Sequence, residues 1–102
     1  MIIIDDGSED EIEAAVKPFL KHESVRFFNI AHSGPAVARN HGLAMSSGDL
    51  IAYLDSDNLM FPGYLRALAN VYAAAPDAHC GFAAMLWDDG EAEVHLRHDV
   101  FN

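Results

Sequence analysis

Residues 48–58, Gly-Asp-Leu-Ile-Ala-Tyr-Leu-Asp-Ser-Asp-Asn, restrict the fold of this chain more than any other stretch. A glycine break precedes five apolar residues, 50–54, and the carboxylates Asp55 and Asp57 follow one residue apart. An apolar run this short, bounded by turn residues, suits a strand buried on both faces of a parallel sheet. Open α/β sheets bind ligands beyond the carboxyl ends of their strands. Asp55 and Asp57, with Asn58 beside them, offer there the hard oxygens that Mg²⁺ or Mn²⁺ takes. The competing reading is a solvated turn whose aspartates bond their own backbone, and Asp-Ser-Asp alone favours it.

The start of the chain repeats the arrangement. Ile2, Ile3 and Ile4 form a β-branched run, and Asp5-Asp6-Gly7-Ser8 follows. Ser8 and Glu11 match the Ser-x-x-Glu capping box, and Glu9, Asp10 and Glu11 suit the first turn of a helix. Ile12, Ala15, Val16, Phe19 and Leu20 recur at helical spacing as one core stripe, and Pro18 should kink or split that helix. Residues 25–30 read as the second strand and 32–35 as a loop. Pro35 suits the first position of a helix running to Ser46, with Gly48 just past its end. Gly42 inside this helix costs ~1 kcal/mol relative to alanine, which points to close packing there. Residues 50–54 are the third strand. Pro62 should start another helix, with Leu65, Leu68, Ala69 and Tyr72 as its buried stripe, and Pro76 should end it. A strand over 79–87, an Asp-Gly turn at 88–91 and a return strand over 92–96 complete the pattern. The order β-α-β-α-β-α-β-β predicts an α/β fold: a mainly parallel sheet with flanking helices and a C-terminal β-hairpin. At 102 residues it reads as a single domain.

Half of the residues are hydrophobic (51%), enough to fold, and the formal charge is −10. That charge argues against nucleic acid and anionic membranes as partners, though not against a nucleotide held through a divalent cation. Cys80 is the one cysteine, so no internal disulfide forms; it fits a reducing compartment and reads as a structural thiol. No apolar run approaches the ~20 residues of a membrane helix, and no signal peptide is visible, so a cytoplasmic location is expected. His22, His32, His41, His79, His95 and His98 show no ligand-pair spacing and read as surface or satisfied histidines rather than a zinc site. Trp87 reads as core before sugar platform.

Two acidic corners thus stand at strand ends, Asp5-Asp6 and Asp55-Ser56-Asp57, and Arg39 lies one turn into the helix leading to the second. Arg39 is either an anion clamp or the ion-pair partner of Asp5, Asp6 or Asp49, and the residues alone leave both open.

Three segments taken together, residues 2–8 (Ile-Ile-Ile-Asp-Asp-Gly-Ser), 34–40 (Gly-Pro-Ala-Val-Ala-Arg-Asn) and 48–58 with Pro62, resemble the family 2 glycosyltransferases of GT-A fold. The match covers residues 2 to about 75 well and the hairpin more weakly. The resemblance implies a partial GT-A, Rossmann-like domain with a nucleotide-sugar donor site, the donor a UDP-sugar. Asp5 or Asp6 would hydrogen-bond the base, and Arg39 would lie near base and phosphate. Asp55 would lie by the ribose, with Ser56 beside it. Asp57, with Asp55, would bind the Mn²⁺ or Mg²⁺ that bridges the diphosphate. Asn58 and Pro62 would shape the turn. The reaction would be an inverting displacement by an acceptor hydroxyl of a saccharide, lipid or protein, assisted by a general base. The family has a strand and helix ahead of its Asp-Asp-Gly-Ser strand, and its base comes later than residue 102. Asp88, Asp89 and Asp99 match no family motif. The chain is therefore expected to be a central fragment, inactive by itself, whose parent enzyme is cytoplasmic or works at the cytoplasmic face of a membrane. The family's strand order leaves a gap between strands 2–5 and 50–54, so direct pairing of the two or homo-oligomerisation through exposed sheet edges is expected.

Two rival readings remain. Asp5-Asp6 and Asp55 also resemble the acidic pocket of a phosphoacceptor receiver. The chain has no threonine, however, and its lysines, Lys17 and Lys21, lie in the first predicted helix. The other rival is a non-catalytic interaction module with a vestigial site.

Overall fold

Three consecutive isoleucines favour the extended, pleated backbone, and Ile2–Asp5 forms strand β1. Arg26–Asn29 forms β2, which pairs with β1 in parallel, Ile2 opposite Arg26 and Asp5 opposite Asn29. This register brings the carboxyl ends of both strands level. The computed structural model describes residues 1–77 and 79–81, and the backbone alone of Met85–Asp88 and Val94–Arg97. It divides into two compact units, Met1–Asp55 and Ser56–Asn102.

In the first unit the β1–β2 crossover carries helix α1, Ile12–Val16, continued by a 3₁₀ turn over Lys17–Phe19. Pro18 sits at the start of that turn, so the expected split of the helix is present, for the expected reason. The capping box is absent. Glu11 is the N-cap and makes no side-chain capping bond, and the Ser8 N–H instead donates to Asp5 Oδ1. The apolar stripe is only partly core: Val16 is buried, whereas Phe19 and Leu20 are exposed. With α1 cut to five residues, Phe19 and Leu20 lie beyond its end and leave its apolar face.

Helix α2, Pro35–Ala44, starts with Pro35 in its first turn, as read, and ends at Ala44, with Met45 as its C-cap, rather than at Ser46. It packs on β1: a Cβ added at Gly42 would stand 3.5 Å from Ile4 Cγ1, an ordinary contact, so the packing here does not require the glycine that sequence suggested. His41 stacks edge-on against Phe28 of β2, with ring centroids 5.4 Å apart. Arg26 reaches from β2 to the Met45 carbonyl at the end of α2, where a cation suits the helix dipole.

The expected third strand does not form. Residues 50–54 have no strand conformation, and the described sheet holding β1 has the order β1-β2. Leu50, Ile51, Tyr53 and Leu54 are all exposed. Extended apolar backbone becomes a strand only against a neighbour that takes up its N–H and C=O groups. No such neighbour lies beside this segment in the first unit, and direct pairing with β1 is not observed.

The second unit contains helix α3, Tyr64–Ala74. It begins two residues after Pro62, because Gly63, at φ +86°, forms a left-handed N-cap that an earlier start would prevent. Its half-buried residues are Tyr64, Leu68 and Tyr72, four apart: Leu68 and Tyr72 are as read, whereas Leu65 and Ala69 are exposed and Tyr64 joins the stripe instead. The helix ends at Ala74, ahead of Pro76, as read. Strands β3, Met85–Asp88, and β4, Val94–Arg97, pair antiparallel with Leu86 opposite Leu96, so the hairpin forms. Its Asp89-Gly90 turn, and with it Asp99 and His98, lies outside the described residues. Among those residues no helix is long and apolar enough to cross a membrane.

Candidate functional site

Because β1 and β2 end level, their last residues face one edge of the sheet. Asp5 is buried, at 5% exposure, and both of its oxygens are taken: Oδ1 by the Ser8 N–H at 3.0 Å and Oδ2 by Asn29 Nδ2 at 2.6 Å. The Ser8 donors, then Asn29, hold its carboxyl below the ordinary carboxylate value against the desolvation that opposes them.

Asp6, the next residue, points the other way along the pleat. Its Oδ1 accepts the Ser33 N–H and its Oδ2 the Gly34 N–H, both at 2.8 Å. The carboxylate therefore fastens the end of β1 to the loop ahead of α2. A carboxylate offers about four lone-pair sites, so Asp6 can accept a further donor, and its side chain is 21% exposed. His32 belongs to the same loop. Its Nδ1 lies 2.9 Å from the Asp6 carbonyl oxygen and 3.2 Å from Asp6 Oδ2, while its side chain is 80% exposed. Gly7, at φ +72°, allows the loop this close: a Cβ there would fall 2.8 Å from the His32 nitrogen.

Arg39 stands one helical turn into α2, and its Nη2 donates to Asp55 Oδ1 at 2.7 Å. That bond and the charge of Asp55 raise the Arg39 pKa above its usual value. The pairing differs from the partners read from sequence, Asp5, Asp6 and Asp49. Asp5 and Asp6 are occupied by nearer donors, whereas Asp55 is brought to Arg39 by the unpaired segment before it. Asp6 and Asp55 are thus both tied to α2, at Gly34 and at Arg39, about 7.5 Å apart along a helix axis. Ser56 and Asp57 form a turn that opens the second unit.

Asp55 and Asp57 are hard oxygen donors one residue apart. Among the described residues no group of three or more His, Cys, Asp or Glu could hold a metal ion.

The family model of glycosyl transferase family 2 matches residues 1–101. The chain belongs to glycosyl transferase family 2. Within this family the small α/β unit with its parallel β1–β2 pair is a partial GT-A domain, and the receiver reading falls away. Relatives include an uncharacterized glycosyltransferase of Rickettsia bellii, 44% identical over 65% of this chain and 10% of its own length. The succinoglycan biosynthesis protein ExoU of Rhizobium meliloti is 42% identical over 67% of this chain and 20% of its own. A pre-mycofactocin glycosyltransferase of Mycobacterium tuberculosis is 40% identical over 67% of this chain and 14% of its own. The chain thus spans 10% to 20% of the length of these relatives. No solved structure matches it.

Sequence reasoning missed Asn29 and the backbone amides of Ser33 and Gly34. Asn29 becomes Asp5's partner only through the β1–β2 register, and backbone donors carry no signature in side-chain type.

Proposed function

We propose that this chain is the donor-binding part of an enzyme that transfers a sugar from a nucleotide-diphospho-sugar, a UDP-sugar, to an acceptor hydroxyl. The observation that carries the reading is that Asp6, at the carboxyl end of β1, holds the loop that opens α2, while Arg39, one turn into that helix, holds Asp55. Asp6 is the base-binding acid: each of the two carboxylates already accepts two donors, but Asp5 is 5% exposed whereas the Asp6 side chain is 21% exposed. Asp5 acts indirectly by fixing the end of β1. Asp55 lies by the ribose with Ser56. Arg39 is exposed enough, at 48%, to exchange part of its bond to Asp55 for a phosphate oxygen.

Asp57, with Asp55, would hold Mn²⁺ or Mg²⁺. Such an ion neutralises the charge that grows on the departing nucleoside diphosphate. The acceptor's attack inverts the anomeric centre, and its general base lies outside this chain, so the chain alone binds donor without transferring sugar. The site works in the cytoplasm or at the cytoplasmic face of a membrane, as one domain across residues 1–102.

Calorimetric titration of the chain with UDP and Mn²⁺ tests the reading. Binding is expected for the native chain and is lost in Asp57→Ala. No heat at millimolar ligand would leave the inert-module reading standing.

A further inference from the structure

We infer that His32 is a donor-binding residue whose imidazole face stacks on the nucleobase of the donor. The inference rests on the donor-site reading above. An exposed histidine usually samples many rotamers, but His32 is tethered. A carbonyl oxygen only accepts, so the 2.9 Å contact with the Asp6 carbonyl places a proton on Nδ1. The backbone beneath the ring is fixed as well. Asp6 holds the two amides that follow, at Ser33 and Gly34, and Gly7 lies directly under the His32 nitrogen. The ring is therefore ordered at one end and 80% exposed elsewhere.

Its position supplies the ligand class. Nδ1 lies 3.2 Å from Asp6 Oδ2, so any group accepted by the spare lone pairs of Asp6 arrives beside the imidazole. A planar heterocycle carrying an N–H donor meets both demands, with the donor on Asp6 and a π-face on His32. Base–aromatic stacking tolerates any base, so Asp6 selects the edge and His32 adds affinity for the plane.

The test compares UDP with inorganic pyrophosphate, each with Mn²⁺, by calorimetric titration on the native chain, His32→Ala and His32→Phe. His32→Ala should weaken UDP roughly five- to tenfold and leave pyrophosphate unchanged, because only UDP carries a base. His32→Phe keeps a ring face and should stay within about twofold of the native chain for UDP. Equal UDP affinity in His32→Ala and the native chain overturns the role, as does equal weakening of UDP and pyrophosphate, or a His32→Phe as weak as His32→Ala. If the native chain binds neither ligand, the donor-site reading itself fails, a result distinct from these. Circular dichroism of each variant separates a lost contact from a lost fold.

Discussion

Asp5 and Asp6 are neighbours in sequence and opposites in environment. Alternation along β1 sends Asp5 into the interior, where Ser8 and Asn29 satisfy it, and sends Asp6 to the loop before α2. The folded-state pKa of Asp5 is lowered from 3.8, so its contribution to stability is fully present above that value and is lost as pH falls through the lower folded value. Asp5→Asn should therefore flatten the acid end of a stability-against-pH curve, below about pH 4, and leave its slope near neutrality unchanged, as followed by circular dichroism. Glycine supplies a second contrast. Gly7→Ala meets both a left-handed φ and a backbone atom at 2.8 Å, whereas Gly34→Ala, at φ +91°, meets nothing within 4 Å. Gly7→Ala should cost more than the ~1–2 kcal/mol of left-handed strain, and Gly34→Ala, whose φ +91° and ψ 164° lie in a region essentially confined to glycine, about 1–3 kcal/mol of backbone strain alone, by urea midpoint.

Among the elements, α2 carries the site, because it touches the sheet through Gly42 and His41 and holds Asp6 and Asp55 through Gly34 and Arg39. An alanine Cβ at position 42 would make ordinary contact with Ile4, so Gly42→Ala should stabilise the chain by up to about 1 kcal/mol in denaturant unfolding. Much of this level was legible in the sequence. Pro18, Pro35 and Pro76 punctuate the helices where a missing N–H requires it, and the isoleucine run made β1. What could not be read was anything that depends on a partner. Residues 50–54 have a strand's composition, but pairing is a property of two segments, and among the described residues none lies beside this one. The stripe of α3 was read correctly at Leu68 and Tyr72 but with Leu65 and Ala69 in place of Tyr64, because all of them satisfy helical spacing and packing alone decides among them. At the site, the motif acids and Arg39 were legible by type. The bond from Arg39 to Asp55 and the tethering of His32 were not, since both depend on how the loops close.

On the scale of the whole molecule, β1 is hydrogen-bonded to β2 on one side in the described sheet, and the apolar residues 50–54 are exposed. Open edges with apolar surface invite pairing between chains. The formal charge of −10 opposes it through repulsion that salt screens. Self-association at micromolar concentration is therefore expected in sedimentation and should strengthen as sodium chloride rises; a monomer at every salt concentration would count against it.

The Asp6 clasp also makes two particular protons reporters. The Ser33 and Gly34 amides can trade with deuterated solvent only when that carboxylate lets go. Their exchange should slow together when a heterocycle docks. Two adjacent NMR peaks would then record occupancy of the sheet's edge without any label on the ligand.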